Sequence, residues 1–464
     1  MAKTPMAKRE EERDVTRRAL IKWTVAAGAA LGVSRGKIIE ILEKTAGKET
    51  AFMAAANKVN RSVHIVPGNG GLSWITQLFP QVDIIQANDA TLSYQHPGMF
   101  TKVNGTDRPY FTGPDSPWAN NAPSKQFTGF VCGQTQAHTN DPQTTVAVLN
   151  NNNIFAFASS LQSAVPSVIP TIAINGLTIG TAPGAAQATA VGDATQVVGL
   201  FNSAASRAGG LLVKSQDATT YAVQYAAFAQ LNKAANRSTT KISYGTAVGA
   251  AGLLGTNLSA KLAIQPADLT RYGVTSGTPN NVKAVANGLI VAVKAFQMGL
   301  TNSIVMPCMN DDPHGAYADG RVLTIPAQLK TIMDAFMTDL QGTTDSVTNE
   351  VLSDSTVITF SGDTTKDITH GGGNWGDGSP KGANQVFVYG AGFLKTGWFG
   401  GIDRAGNVTG YDGAANAATF TAAATAKYAL ASIAYAIAKG DERAISPFSN
   451  GVTIGGSFGQ PQQL

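Results

Sequence analysis

Charge is scarce in this chain. Only 14% of its 464 residues are Asp, Glu, Lys or Arg, against about a quarter in ordinary soluble proteins. Ala, Gly, Thr, Ser and Asn fill the difference, so the surface is expected to be polar but mostly uncharged, a composition common in exported and envelope proteins. The apolar stretch near the N-terminus, "WTVAAGAALGV", is too short to cross a bilayer as a helix. Cysteine is nearly absent, and Cys132 and Cys308 allow at most one disulfide. Cys308 lies in an apolar run, which favours two buried thiols instead. No G-x-S-x-G elbow, P-loop or dinucleotide fingerprint stands out in a strand–turn–helix setting, and no tandem repeat is evident.

The 43% hydrophobic content is that of a globular protein with a real core, and the length suits one large domain or two to three ordinary ones. The net charge of +4 is local: residues 1–48 hold eleven Lys and Arg against six Asp and Glu. The rest is close to neutral, which argues against a nucleic-acid groove. "DVTRRALIK" sets Arg17 and Arg18 ahead of the short apolar run, a signal-peptide layout that resembles the twin-arginine export signal. A charged helical segment follows, and the first small-residue cleavage site, Ala54-Ala55-Ala56, comes only after it. We therefore expect residues 1–58 to form an export leader and N-terminal helix, cleaved late or retained. Its partner would be the twin-arginine machinery and its destination the periplasm or surface of a bacterium. If retained, the leader is the membrane contact.

From about residue 60, short apolar runs alternate with helical periods. "SVHIVPGNGG" reads as a strand running into a Gly-rich turn. Val282, Val285, Leu289, Val293 and Phe296 fall at helical spacing, and "SIVMPCM" follows as a strand. Leu329, Ile332, Met333, Phe336, Met337 and Leu340 form the stripe of a second helix, with Pro326 in its first turn and Gly342 at its end. "STVITFSG" and "NQVFVYGAG" are further strands, and a C-terminal helix is expected from about Ala418. This is the grammar of an α/β domain over 59–464 with a mostly parallel central sheet flanked by helices. Residues of about 90–150, rich in Pro, Asn, Thr and Gln, read as a long irregular insertion or lid.

In such sheets ligands bind beyond the carboxyl ends of the strands. The loops to examine are Pro67–Ser73, Asn310–Gly320, Ser361–Pro380 and Gly390–Gly401. The first cluster, "MNDDPHGAYADG", offers Asp312 and His314, a carboxylate and an imidazole that could share one divalent metal. The second, "SGDTTKDITHGGGNWGDGSP", offers Asp363, Asp367, His370 and Asp377 among glycines. The plainer reading makes both loops polar surface turns. His64, inside the first strand, reads as a satisfied core histidine, whereas His96 and His138 lie in the irregular region.

The order of these features resembles the exported DUF1501 family of the alkaline-phosphatase-like (sulfatase-like) superfamily. A twin-arginine leader precedes a strand and turn ending "GGLS"; later come the D-x-H loop, the helix ending "AFMTDL", Ser361 and "VFVYGAGFLKTGWFGG". The resemblance runs from about residue 60 to the C-terminus and is strongest over 280–402. It implies an alkaline-phosphatase-like α/β fold with metal ions at the strand ends, hydrolysing phosphate or sulfate esters. Asp312 and His314 match the family's Asp-Thr-His, with Pro313 between them, and Ser361 matches the first residue of Ser-Glu-Phe-Gly-Arg. Gly362, Asp363, Thr364 and Thr365 do not continue that motif. Gly373-Asn374-Trp375-Gly376 stands where the family has Thr-Asp-His-Gly, and Asn69 is the residue nearest its missing first aspartate.

Two readings follow. One is a metal-dependent ester hydrolase with a rearranged site: Asp312 and His314 as ligands, completed by His370 with Asp363 or Asp377, holding zinc, manganese or calcium. The other is a non-catalytic envelope or assembly protein on the same fold, without metal, acting as a homo-oligomer or with an envelope partner. The residues leave open which holds, and so whether the chain is an enzyme.

Overall fold

Strands apolar on both faces, separated by amphipathic helices, must be covered from both sides, and they are. The computed structural model describes residues 59–68, 78–80, 101–103, 108, 110–118, 127–132, 148–149, 152–163, 165, 167–205, 258–310, 319–361, 383–403, 407–449 and 451–461. These belong to the compact unit made of residues 55–213 and 253–464. The leader, with Arg17 and Arg18, lies outside the described residues.

Eight strands make the main sheet: β1 (Arg61–Gly68), β2 (Phe127–Cys132), β3 (Thr171–Ile174), β4 (Thr189–Val191), β5 (Ser303–Asn310), β6 (Thr356–Ser361), β7 (Asn384–Tyr389) and β8 (Gly397–Phe399). Their spatial order is β8-β2-β7-β6-β1-β5-β3-β4. β1 sits between β6 and β5, parallel to both, and β3 and β4 extend the parallel array. β7 alone is reversed, antiparallel to β6 and β2, while β8 runs parallel to β2. A mostly parallel α/β sheet is therefore what the chain forms. A three-stranded antiparallel meander, Gly401–Ile402, Val408–Tyr411 and Ala417–Thr419, follows it.

Among the described residues the helices are α1 (Ile154–Gln162), α2 (Ala194–Ala205), α3 (Leu258–Leu262), α4 (Pro266–Arg271), α5 (Asn280–Gln297), α6 (Arg321–Gly342), α7 (Ala422–Ile437) and α8 (Glu442–Ser449). Alternation along each strand divides the core in two. Val63, Ile65, Ile304, Met306, Ile358 and Phe360 pack with the apolar stripes of α5 and α6 on one face. Val66, Val305, Val357 and Val386 pack with α1 and α7 on the other. Among the described residues no helix is long and apolar enough to cross a membrane.

Three expectations need correction. The stretch at about 90–150 is not an insertion throughout, because Phe127–Cys132 is the fully buried strand β2. Gly129 makes room there for the Trp398 ring, which a Cβ would meet at 2.3 Å. α6 begins at Arg321, so Pro326 lies inside it rather than in its first turn. Asp319 supports the earlier start by accepting from the Arg321 N–H at 3.0 Å. The C-terminal helix starts at Ala422, since Ala417–Thr419 pairs as an edge strand of the meander.

Candidate functional site

The carboxyl edge of the sheet is set by register. Gly68 at the end of β1 pairs with Asn310 at the end of β5, and Ile65 pairs with Phe360, one residue before the end of β6. Three neighbouring parallel strands thus end side by side. The two outer ends are separated by two strand spacings, about 10 Å. β7 starts at the same edge, Asn384 lying opposite Cys132 at the end of β2.

The chain leaves this edge into residues 69–77, 311–318 and 362–382. Asp312, His314, Asp363, His370 and Asp377 fall in those segments, as do Asn69 and Asp367, and all lie outside the described residues, together with His96 and His138. The fourth loop, after Gly390, belongs elsewhere. Because β7 is reversed, Tyr389 ends beside Ile358 and Phe127, so the turn at 390–396 leaves from the amino edge. Its expected place among the carboxyl-edge loops is therefore corrected, since β7 is the reversed strand of a mostly parallel sheet.

Two buried polar groups of the sheet each keep an atom without a partner among the described residues. Ser361, the last residue of β6, is fully buried, and its Oγ has no hydrogen-bond partner among the described residues. His64 is fully buried as well. Its Nδ1 lies 2.8 Å from Thr359 Oγ1 on the neighbouring strand, and Phe155 of α1 meets its ring edge-on at 5.0 Å. Its Nε2 has no partner among the described residues, where this core histidine is only half satisfied. Burial among apolar groups pushes its pKa down to about 3, and the ring is neutral at ordinary pH. Cys132 and Cys308 are free buried thiols, each pushed up to about 12 by desolvation.

At the β4–α2 turn, Asp193 Oδ1 accepts from the backbone N–H of Thr195 at 2.8 Å and of Gln196 at 3.1 Å. Its carboxyl pKa is held below the ordinary value, chiefly by the Thr195 hydroxyl. This is a capped helix start with its donors already used.

Sequence reasoning missed the polar network at the opposite, amino edge. Arg61 Nε lies 2.5 Å from Asp345 Oδ2, while Nη1 donates to Asn302 Oδ1 at 2.8 Å and to the Thr301 carbonyl. Asn302 Nδ2 in turn donates to the Val165 carbonyl at 2.9 Å. An arginine at the head of an apolar strand was the available signal. Its distant partners were not, since they come from separate connections.

Among the described residues no group of three or more His, Cys, Asp and Glu could hold a metal ion. Comparison with protein-family models, with curated proteins and with solved structures finds no match.

Proposed function

We propose that this chain is an exported α/β protein of the alkaline-phosphatase-like kind. It binds a divalent cation at the carboxyl edge of its sheet and hydrolyses phosphate or sulfate esters there. Asp312 and His314, after β5, are the primary ligands, and His370 with Asp363 or Asp377, after β6, completes the set. The observation that supports this reading is the strand order β6-β1-β5. It starts the two ligand-bearing segments from strand ends about 10 Å apart, a gap that carboxylate and imidazole side chains can close around one ion. A divalent metal there would polarise the ester oxygens and lower the pKa of an attacking water.

The second reading is a non-catalytic envelope or assembly protein. It draws on Asn69 and Gly373-Asn374-Trp375-Gly376, which stand where the family resemblance calls for further ligands. One experiment separates the two. Metal content is measured by mass spectrometry on protein from its native envelope, wild type beside an Asp312→Ala, His314→Ala double variant. Near-stoichiometric zinc, manganese or calcium that disappears in the variant supports the metal site, and hydrolysis of phosphate and sulfate monoesters is then assayed. Folded wild-type protein that stays metal-free after supplementation overturns it in favour of assembly.

A further inference from the structure

We propose that residues 113–118 form a releasable strap pinned by Trp118, able to lift from the sheet while the sheet stays folded. Trp118 is fully buried yet has φ +66°, in the left-handed region. Bulky side chains rarely adopt that conformation. Its ring lies against an aromatic layer on β2, β6 and β7. It stacks on Phe127 at 5.5 Å and 15° between planes, meets Tyr389 edge-on at 5.7 Å, and lies 5.5 Å from Phe360. Nε1 donates to the Met333 carbonyl of α6 at 2.6 Å, and the Trp118 backbone N–H donates to Asp334, which also pairs with Lys330 at 2.5 Å.

The segment that carries this ring is neither helix nor strand. Its ties include a turn, Ser116 N–H to the Gly113 carbonyl at 3.1 Å, and the Gly113 N–H to Ser116 Oγ at 2.7 Å. β2, β7 and β6 beneath it are hydrogen-bonded to one another without it. The left-handed backbone at Trp118 is a cost carried by the closed strap, and it is released when the strap lifts. Because the segment takes no part in the ladder, it can open without the strands parting, as local units of a fold do. Opening would remove the indole from Phe127 and Tyr389, toward the amino edge, and from Phe360, the residue before Ser361. The strap stands whether or not a metal binds there.

The test is ¹⁹F NMR on the full chain labelled with 5-fluorotryptophan, the Trp118 signal being assigned by its loss in Trp118→Phe. In Asp334→Ala, contact of Trp118 with a soluble paramagnetic probe should rise about ten-fold or more, the factor expected on removing a hydrogen bond to a charged group. Trp398, on β8, should keep its wild-type shielding. Wild-type protein is titrated with urea in parallel, so that poor folding of the variant leaves the question answerable. There Trp118 should lose shielding at lower urea than Trp398. Unchanged shielding of Trp118 in a folded Asp334→Ala protein, or coincident urea midpoints for the two tryptophans, overturns the proposal.

Discussion

Arg61 and Asp345 are joined at 2.5 Å, with their side chains 4% and 1% exposed. The arginine opens β1, and the aspartate lies in the connection between α6 and β6. Asp345 Oδ1 also accepts from the Val347 backbone N–H at 2.7 Å, so one carboxylate fixes both the strand and the loop. Replacing it strands a buried guanidinium, and breaking a buried pair from one side costs about 3–5 kcal/mol. Asp345→Ala should lose that much in urea unfolding. An Arg61→Met, Asp345→Leu double variant should recover part of the loss, because no charge is then left unpaired. A double variant less stable than Asp345→Ala would argue against this account.

Two glycines make a sharper comparison. A Cβ on Gly129 would meet the Trp398 ring at 2.3 Å, and one on Gly288 would meet Met306 Cε at 2.4 Å. The distances are alike, but the neighbours are not. An indole packed on a strand cannot bend away, whereas a methionine terminus can change rotamer. Gly288 also lies within α5, where alanine gains about 1 kcal/mol in helix propensity. Gly129→Ala should therefore cost about 1–3 kcal/mol by overpacking, and Gly288→Ala should be near neutral. Chemical denaturation of both proteins checks the order, and equal losses would contradict it.

The elements were legible in the sequence to the extent that burial repeats along the chain. Val282 to Phe296 and Leu329 to Leu340 mark α5 and α6 because one stripe of each faces the sheet. β1, β5, β6 and β7 announced themselves as apolar runs. Strand order and direction were not legible, because parallel pairing joins segments such as Ile65 and Phe360 that are far apart in sequence. β7 is buried on both faces as β6 is, so nothing in "NQVFVY" betrays its reversal. β2 was hidden by its setting, since "FTGFVC" lies among Pro, Asn, Thr and Gln, and its Gly129 exists for Trp398. For the candidate site, the residue types could be read from the chain. The adjacency of the strands that carry them needed the topology.

Cys132 and Cys308 should behave as inert core groups. Both are 1% exposed, and desolvation raises each thiol to about 12. At pH 8 the thiolate fraction is then on the order of 10⁻⁴. An aromatic disulfide reagent should find neither thiol in the native protein and both in denaturant. Rapid stoichiometric labelling under native conditions would show that the edge of β2 opens far more readily than its burial implies.

His64 predicts how stability changes with acid. Its folded pKa of about 3 lies below the ordinary histidine value of 6.5, so below pH 6.5 the unfolded chain binds a proton that the folded chain refuses. The folded state pays nothing above that range and loses stability as pH falls from about 6.5 toward 3. At about 1.4 kcal/mol per pH unit, the loss between pH 7 and pH 5 is about 2 kcal/mol. The neutral ring also donates to or accepts from Thr359 Oγ1, so His64→Gln keeps a polar partner there while removing the titration. That variant should start less stable at pH 7 and fall less steeply toward pH 5, its curve approaching that of the wild type by about 2 kcal/mol. Parallel curves over that interval would mean that His64 takes up its proton in the folded state, and that Nε2, which has no partner among the described residues, is reached by water at the heart of the sheet.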